Sequence, residues 1–213
     1  LLERYFALFG VNDPLPYYLN KRDRLSWTEG DSWSLAGKAK DAGDFFIVEF
    51  NSKDVPTLGA NGFIGRKDIL LKANCQPLNF FHIDVNYDVI KMGYNTYGIV
   101  KTDIIHQTGY SFLSYLRKRI KYMRLYLADK PRRRYHVYSS SERQKLLKYL
   151  FFTFTFIKPT YDGIKGYKKF NDIAWFLHPL VCVFTAVIYT FIFTACRGSK
   201  SIQIRSDKPM HAN

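Results

Sequence analysis

Apolar residues recur along this chain in more than one rhythm, and the change of rhythm divides it. Up to about residue 109 they come in short runs between turn formers. "FFIVEF" at 45–50 is a compact apolar run with strand character, and "TEGDSWSLAGKAKDAGD" before it is rich in turn formers. "NDPLPYYLNKRDR" reads as a proline-broken loop. Gly59 and Gly62 bracket a loop, Phe63 and Ile64 read as a short strand, and "RKDILLKA" reads as the start of a helix. In "HIDVNYDVIKMG" the spacing of Ile83, Tyr87, Ile90 and Met92 predicts a helix, with Gly93 as its stop. "YNTYGIVKTDIIH" returns as a strand from Tyr94 to Ile105. Helices and strands alternating over short connections make this part α/β.

From residue 110 the period lengthens. "YSFLSYLRKRIKYMRLYLADK" places Leu113, Leu116, Ile120, Met123 and Leu127 three and four apart, with Arg117, Lys118, Arg119, Lys121 and Arg124 between them. That is a basic amphipathic helix of the type that lies in a membrane interface. "LLKYLFFTFTFIKP" is too short to span and is interrupted by Lys148, so a second interfacial or re-entrant piece is expected. Residues 174–195 then run for 22 residues without a formal charge. As a helix they reach roughly 33 Å against a hydrocarbon core of about 30 Å. A membrane-inserted segment is predicted, against the plainer alternative of a buried hairpin helix broken at His178-Pro179. The expected divisions are 1–109, 110–158 (basic amphipathic, interfacial), 159–196 (membrane-inserted) and a polar, disordered tail at 197–213.

Charge sharpens this picture. The net charge is +14, and residues 115–148 hold twelve Lys or Arg against two acids, Asp129 and Glu142. Such a balance implies a polyanionic neighbour. Aromatics make up 17% of the chain, and many sit in apolar runs rather than among the basic residues, which favours a membrane over nucleic acid. The larger basic mass precedes the apolar run, which places that side in the cytosol. Cys75, Cys182 and Cys196 form no CxxC pair and suggest neither a disulfide framework nor a metal motif. "LLERYFALFG" has no initiator methionine and no signal-peptide features, so Leu1 reads as a cut inside a longer protein.

Three places could carry chemistry. In "LGANGFIGRK" the glycines allow close backbone approach, Asn61 both donates and accepts, and Arg66 and Lys67 could meet a phosphate; ordinary turns use the same residues. Asp84 stands where a helix cap would, which is the commonest role, but a general base needs the same rigid, partly desolvated position. Asp88 lies one turn further, and two desolvated carboxylates that close would raise one another's pKa. His106 ends the following strand, where an imidazole is most often structural but would suit a divalent metal holding a diphosphate.

Taken in order, the chain reads G-A-N-G-F, helix, H-I-D-V, G-Y, strand, I-I-H, basic helix. "GANGFIGRKDIL" and "FHIDVNYDVIKMGYNTYGIVK" carry a resemblance to the second half of family 2 glycosyltransferases with the Rossmann-like GT-A fold, followed by their membrane-associated tail. It covers residues 1 to about 195, and "NDPLPYY" and "DIAWFLHP" look similar to prokaryotic members of one subgroup. The resemblance implies inverting transfer of a sugar from a nucleotide-sugar donor to the hydroxyl of a lipid-linked or glycan acceptor. The setting would be cell-envelope or exopolysaccharide assembly at the cytoplasmic membrane, the catalytic part facing the cytosol, with an anionic membrane surface and no nucleic acid as partner.

The resemblance assigns Asp84 as the base that deprotonates the acceptor; the family's motif usually reads Glu-Asp, and Ile83 replaces the glutamate. Gly59, Asn61, Gly62 and Phe63 match the loop beside acceptor and donor sugar, Arg66 stands with them as a substrate-binding candidate, and His106 matches a histidine near the metal or diphosphate. Lys118 and Arg119 occupy the region where processive relatives carry Gln-x-x-Arg-Trp, here without the tryptophan, so polymer synthesis is not expected. The family's nucleotide-binding half would precede Leu1, and no Asp-x-Asp triplet replaces it. A divalent metal, Mg or Mn, would be held mostly by that half, and this chain alone is expected to be inactive. Two other classes stay open: a basic membrane- or nucleic-acid-binding module without catalysis, and a membrane scaffold in which Asp84 is a cap and His106 a core residue.

Overall fold

The apolar run at 45–50 becomes the central strand of a three-stranded antiparallel sheet in a computed structural model that describes residues 1–22, 37–59, 62–73, 75, 80–102, 111–138 and 142–198. The strands β1 (Lys38–Asp41), β2 (Phe45–Glu49) and β3 (Thr96–Val100) lie in the order β1-β2-β3, with Lys40 opposite Ile47 and Phe45 opposite Val100. Alternation along β2 turns Phe46 and Val48 inward. Helices α3 (Lys67–Lys72) and α4 (His82–Lys91) lie between β2 and β3 in sequence. Ile90 of α4 joins Phe46 and Val48 in one core, with Ile83 and Tyr87 at its margin. On its other flank, Val85 and Val89 pack with Ala73 and, at the edge, Ile69 and Leu70. Gly93 closes α4 at φ +92°, its N–H bonding Ile90 O, a conformation glycine adopts without steric cost.

Several expectations change here. The described residues show a mixed, helix-rich fold with a small three-stranded antiparallel sheet and one long apolar helix; the parallel strands and crossovers of a Rossmann-like sheet are not among them. Phe63 and Ile64 form no strand, because no neighbour pairs with them and both are exposed. The strand expected over Tyr94–Ile105 is five residues, Thr96–Val100, and residues 103–105 lie outside the described residues.

The remaining described residues build a helical body from α1 (Leu2–Phe9), α2 (Pro14–Tyr18), α5 (Phe112–Asp129), α6 (Arg143–Phe154), α7 (Ile157–Lys169), a 3-10 turn (Ile173–Leu177) and α8 (His178–Gly198). Residues 1–22 belong to this body. Tyr5, Phe6, Leu8 and Phe9 pack with Tyr115, Ala174, Trp175 and Val181, while Leu15 and Leu19 meet Tyr149 and Ala186. Asp13 caps α2, its Oδ1 accepting from Leu15 N at 3.0 Å, with Pro14 at the first helical position. Trp175 lies flat on α7 at Gly166, where a Cβ would come within 2.3 Å of the indole.

Helix α5 forms as its period predicts, but its buried stripe is Tyr115, Arg119 and Met123. Of the predicted apolar face only Met123 is buried, and Leu113 is 65% exposed. Tyr115 and Arg119 have polar partners inside the body, which the aliphatic residues lack. The uncharged run at 174–195 is helical throughout: Ile173–Cys196 is long and apolar enough to cross a membrane, tightening to 3-10 before His178 and continuing as α-helix through Pro179.

Candidate functional site

The glycine loop and the Asp84 helix meet. Gly59, at φ +89°, sits so close to the first turns of α4 that a Cβ there would stand 3.3 Å from the His82 Cβ and 3.4 Å from the Asn86 Nδ2 and the Phe63 ring. Asn86 is fully buried and donates to His82 O at 2.8 Å, while Tyr97 on β3 donates to Asn86 Oδ1 at 3.1 Å. Burial pushes the Tyr97 phenol up to about 12. Burial first, then the Arg133 guanidinium, holds the His82 imidazole below its ordinary range, with Asp84 opposing them.

Asp84 has no exposed surface, and both its oxygens are engaged. Arg133 Nε donates to Oδ1 at 3.0 Å and Oδ2 at 3.1 Å; the backbone N–H of Arg134 donates to Oδ2 at 3.1 Å and that of Tyr135 to Oδ1 at 3.4 Å. One turn on, Asp88 accepts from Arg134 Nε at 2.6 Å. The carboxylates thus grip consecutive arginines of "KPRRRYHVY", and that segment becomes a strap joining the two parts of the molecule. Tyr135 reaches Val55, giving its hydroxyl proton to the carbonyl at 2.9 Å and accepting from the N–H at 3.0 Å. Lys21, buried, donates to Val137 O at 3.0 Å and pairs with Glu142 at 3.2 Å. A buried charge is tolerable only when paired and hydrogen-bonded, which this arrangement satisfies. As built, an acceptor hydroxyl reaches Asp84 only where the strap is displaced.

The other predicted site residues go elsewhere. Gly62 is exposed at φ +93° with nothing near its Cβ position, and Phe63 packs against Gly59. Arg66 pairs with Asp68, two residues on, at 2.8 Å. Arg119 is buried, pairing with Asp13 at 3.3 Å and lying over the Tyr115 and Tyr122 rings. Lys118, its neighbour on α5, is half-buried. Asn61 and His106 lie outside the described residues. Among the described residues no group of three His, Cys, Asp or Glu side chains gathers that could hold a metal, and Asp84 and Asp88 are already committed to arginines.

A second feature, on the helical body, is its exposed apolar surface. Leu147, Phe151 and Phe154 of α6, Ile157, Tyr161 and Ile164 of α7, Ile173 and Phe176 of the 3-10 turn, and Leu180, Phe184, Val187 and Phe191 of α8 are all at least 41% exposed. Arg143 and Lys148 border it on α6, and Lys165 and Lys168 at the C-terminal end of α7; all four are exposed. So many large apolar side chains left exposed on these helices suit burial against a partner or a bilayer.

Sequence reasoning missed Arg133, Arg134, Lys21 and Glu142. The available signal was two acids one turn apart on α4 and two adjacent arginines 49 and 46 residues later. Compared with protein-family models, with curated proteins and with solved structures, the chain matches none.

Proposed function

We propose that the chain works against an anionic membrane as the acceptor-side part of a glycosyltransferase that passes a sugar from a nucleotide-sugar donor to a hydroxyl. The observation that carries the membrane half is the exposed apolar face bordered by lysine and arginine. Apolar area and attraction to anionic headgroups act together in such binding. The transferase half, with its GT-A fold and cytosolic orientation, is supported by the residue pattern around "GANGF" and "HID" and by the contact of that loop with the first turns of α4. In this reading Asp84 takes the acceptor proton after Arg133 releases it. No step is assigned to a metal held by this chain.

The test is nucleotide release from a panel of nucleotide sugars, with a polyprenyl phosphate as acceptor, in the longest natural protein that contains this sequence. Asp84→Asn is expected to abolish transfer and leave donor binding measurable; near-normal turnover removes Asp84 from the chemistry.

A second reading, a membrane-binding module without catalysis, is favoured by the complete engagement of Asp84. The double variant Asp84→Leu, Arg133→Leu separates the two. Apolar replacement of a buried pair is often tolerated, so a folded double variant that loses transfer identifies a base, and one that keeps it identifies a structural tie.

A further inference from the structure

Helix α8 carries two opposed stripes with the same spacing. Leu180, Phe184, Val187 and Phe191 face outward. His178, Cys182, Thr185 and Tyr189 face the body, where each is met by a hydroxyl or a carboxylate. The His178 ring shares hydrogen bonds with the Tyr5 hydroxyl at Nδ1 (2.7 Å) and the Tyr18 hydroxyl at Nε2 (3.1 Å). Tyr149 donates to Cys182 O at 3.1 Å, the Tyr115 and Thr185 hydroxyls stand 2.9 Å apart, and Tyr189 donates to Asp13. Between His178 and Tyr189, lipid can reach only the outer stripe of this helix.

The neighbour along its flank decides how α8 can meet a bilayer. Helix α5 runs beside it in the same direction: Phe112 rests on Phe184 with ring centroids 5.1 Å apart, Tyr115 meets Thr185, and Arg119 joins Tyr189 through their shared partner Asp13. Thr185 and Tyr189 lie near the middle of the span-length stretch Ile173–Cys196. Were α8 to stand across a bilayer, α5 would stand at the same depth, with Arg117 between Tyr115 and Arg119 and Lys121 just beyond, both exposed. Exposed cations at the bilayer centre are strongly unfavourable. Laid flat, α8 turns its outer stripe into the acyl region. The exposed lysines and arginines of α5 are then free to stay in water or at headgroup level.

We propose that this protein is monotopic: α8 lies along one leaflet of an anionic bilayer on its Leu180–Phe184–Val187–Phe191 stripe, and the residues before and after it stay on the same side. The inference rests on the membrane reading above and fixes how the apolar helix is used.

The experiment is cysteine accessibility in bacterial membranes made with the full chain. Cys75→Ser and Cys196→Ser clear the background, Cys182 having no exposed surface. Lys38→Cys on β1 reports the head, and Ser201→Cys reports the residues after α8. Spheroplasts and inside-out vesicles are treated with a membrane-impermeant maleimide. Both cysteines are expected to react in one preparation and neither in the other without detergent. Reaction of the two in opposite preparations overturns the monotopic arrangement and leaves membrane attachment standing. A protein that fractionates wholly with the soluble material overturns membrane attachment as well.

Discussion

Two basic runs of similar composition meet opposite fates. "KPRRRY" at 130–135 holds four cations in six residues and "KGYKK" at 165–169 three in five. In the first, Arg133 and Arg134 turn inward onto Asp84 and Asp88. In the second, the acid of α7, Asp162, is taken by Lys158, and Lys165 and Lys168 stand exposed at the end of an apolar face. A count of positive charge in a sequence is therefore not a count of charge a membrane can feel. What decides is whether acids from another element reach the run first.

The strap is the side of this comparison that breaks most severely. Removing one partner of a buried ion pair leaves the other charge uncompensated and costs about 3–5 kcal/mol. Asp84→Asn is expected to lower unfolding free energy by that order in denaturant titration, far more than Arg66→Gln, whose pair with Asp68 is exposed on both sides. Equal effects of the two would mean that the strap contributes no more than a surface bridge. The exposed run is tested by binding instead. Each Lys near an anionic surface contributes about 1 kcal/mol, so Lys165→Gln with Lys168→Gln should weaken flotation with phosphatidylglycerol vesicles roughly thirtyfold and leave the melting temperature unchanged. Undiminished binding would move the contact surface away from α7.

Much of the fold was legible where a pattern is local. "FFIVEF" became β2, "HIDVNYDVIKMG" became α4 with Gly93 as its stop, and the period after residue 110 became α5. What failed needed a partner from far along the chain. Phe63 and Ile64 have strand character but no strand partner among the described residues. Leu113 fits an apolar stripe, yet α5 buries Arg119 because Asp13, 106 residues away, supplies a carboxylate. The Asp84 site was half visible: its position in the first turn of a helix was readable, and its arginine was not. For α8, apolar length was plain, whereas the stripe His178–Cys182–Thr185–Tyr189 acquires meaning only once tyrosines of α1, α2, α5 and α6 are placed around its helix.

How the exposed run is held in position can be sharpened at Gly166. Gly→Ala inside a helix ordinarily stabilises by about 1 kcal/mol. At Gly166 the added carbon would meet the Trp175 ring at 2.3–2.6 Å, and overpacking of that kind costs about 1–3 kcal/mol. Gly166→Ala is therefore expected to lower stability by about 1 kcal/mol net, with a change in Trp fluorescence as the indole shifts. A stabilised variant would show that α7 does not seat on Trp175. The effect belongs to packing and so should be independent of lipid, unlike that of the lysines.

The smallest effect lies beside the strap, at His82. Its imidazole is held below its ordinary value of about 6.5 by burial and by the Arg133 guanidinium, so the folded protein binds this proton more weakly than the unfolded chain does. Its contribution to stability is fully present above about pH 6.5 and is lost as pH falls from there toward the depressed folded value. Melting temperature should therefore decline as pH falls below about 7. His82→Gln, which carries no titrating charge, should flatten that stretch of the profile and leave the profile outside it unchanged. A profile that keeps its slope in His82→Gln would assign the proton elsewhere. A slope that vanishes in Arg133→Met while His82 is intact would show that the guanidinium outweighs burial, placing the strap's charge in direct control of the histidine beside it.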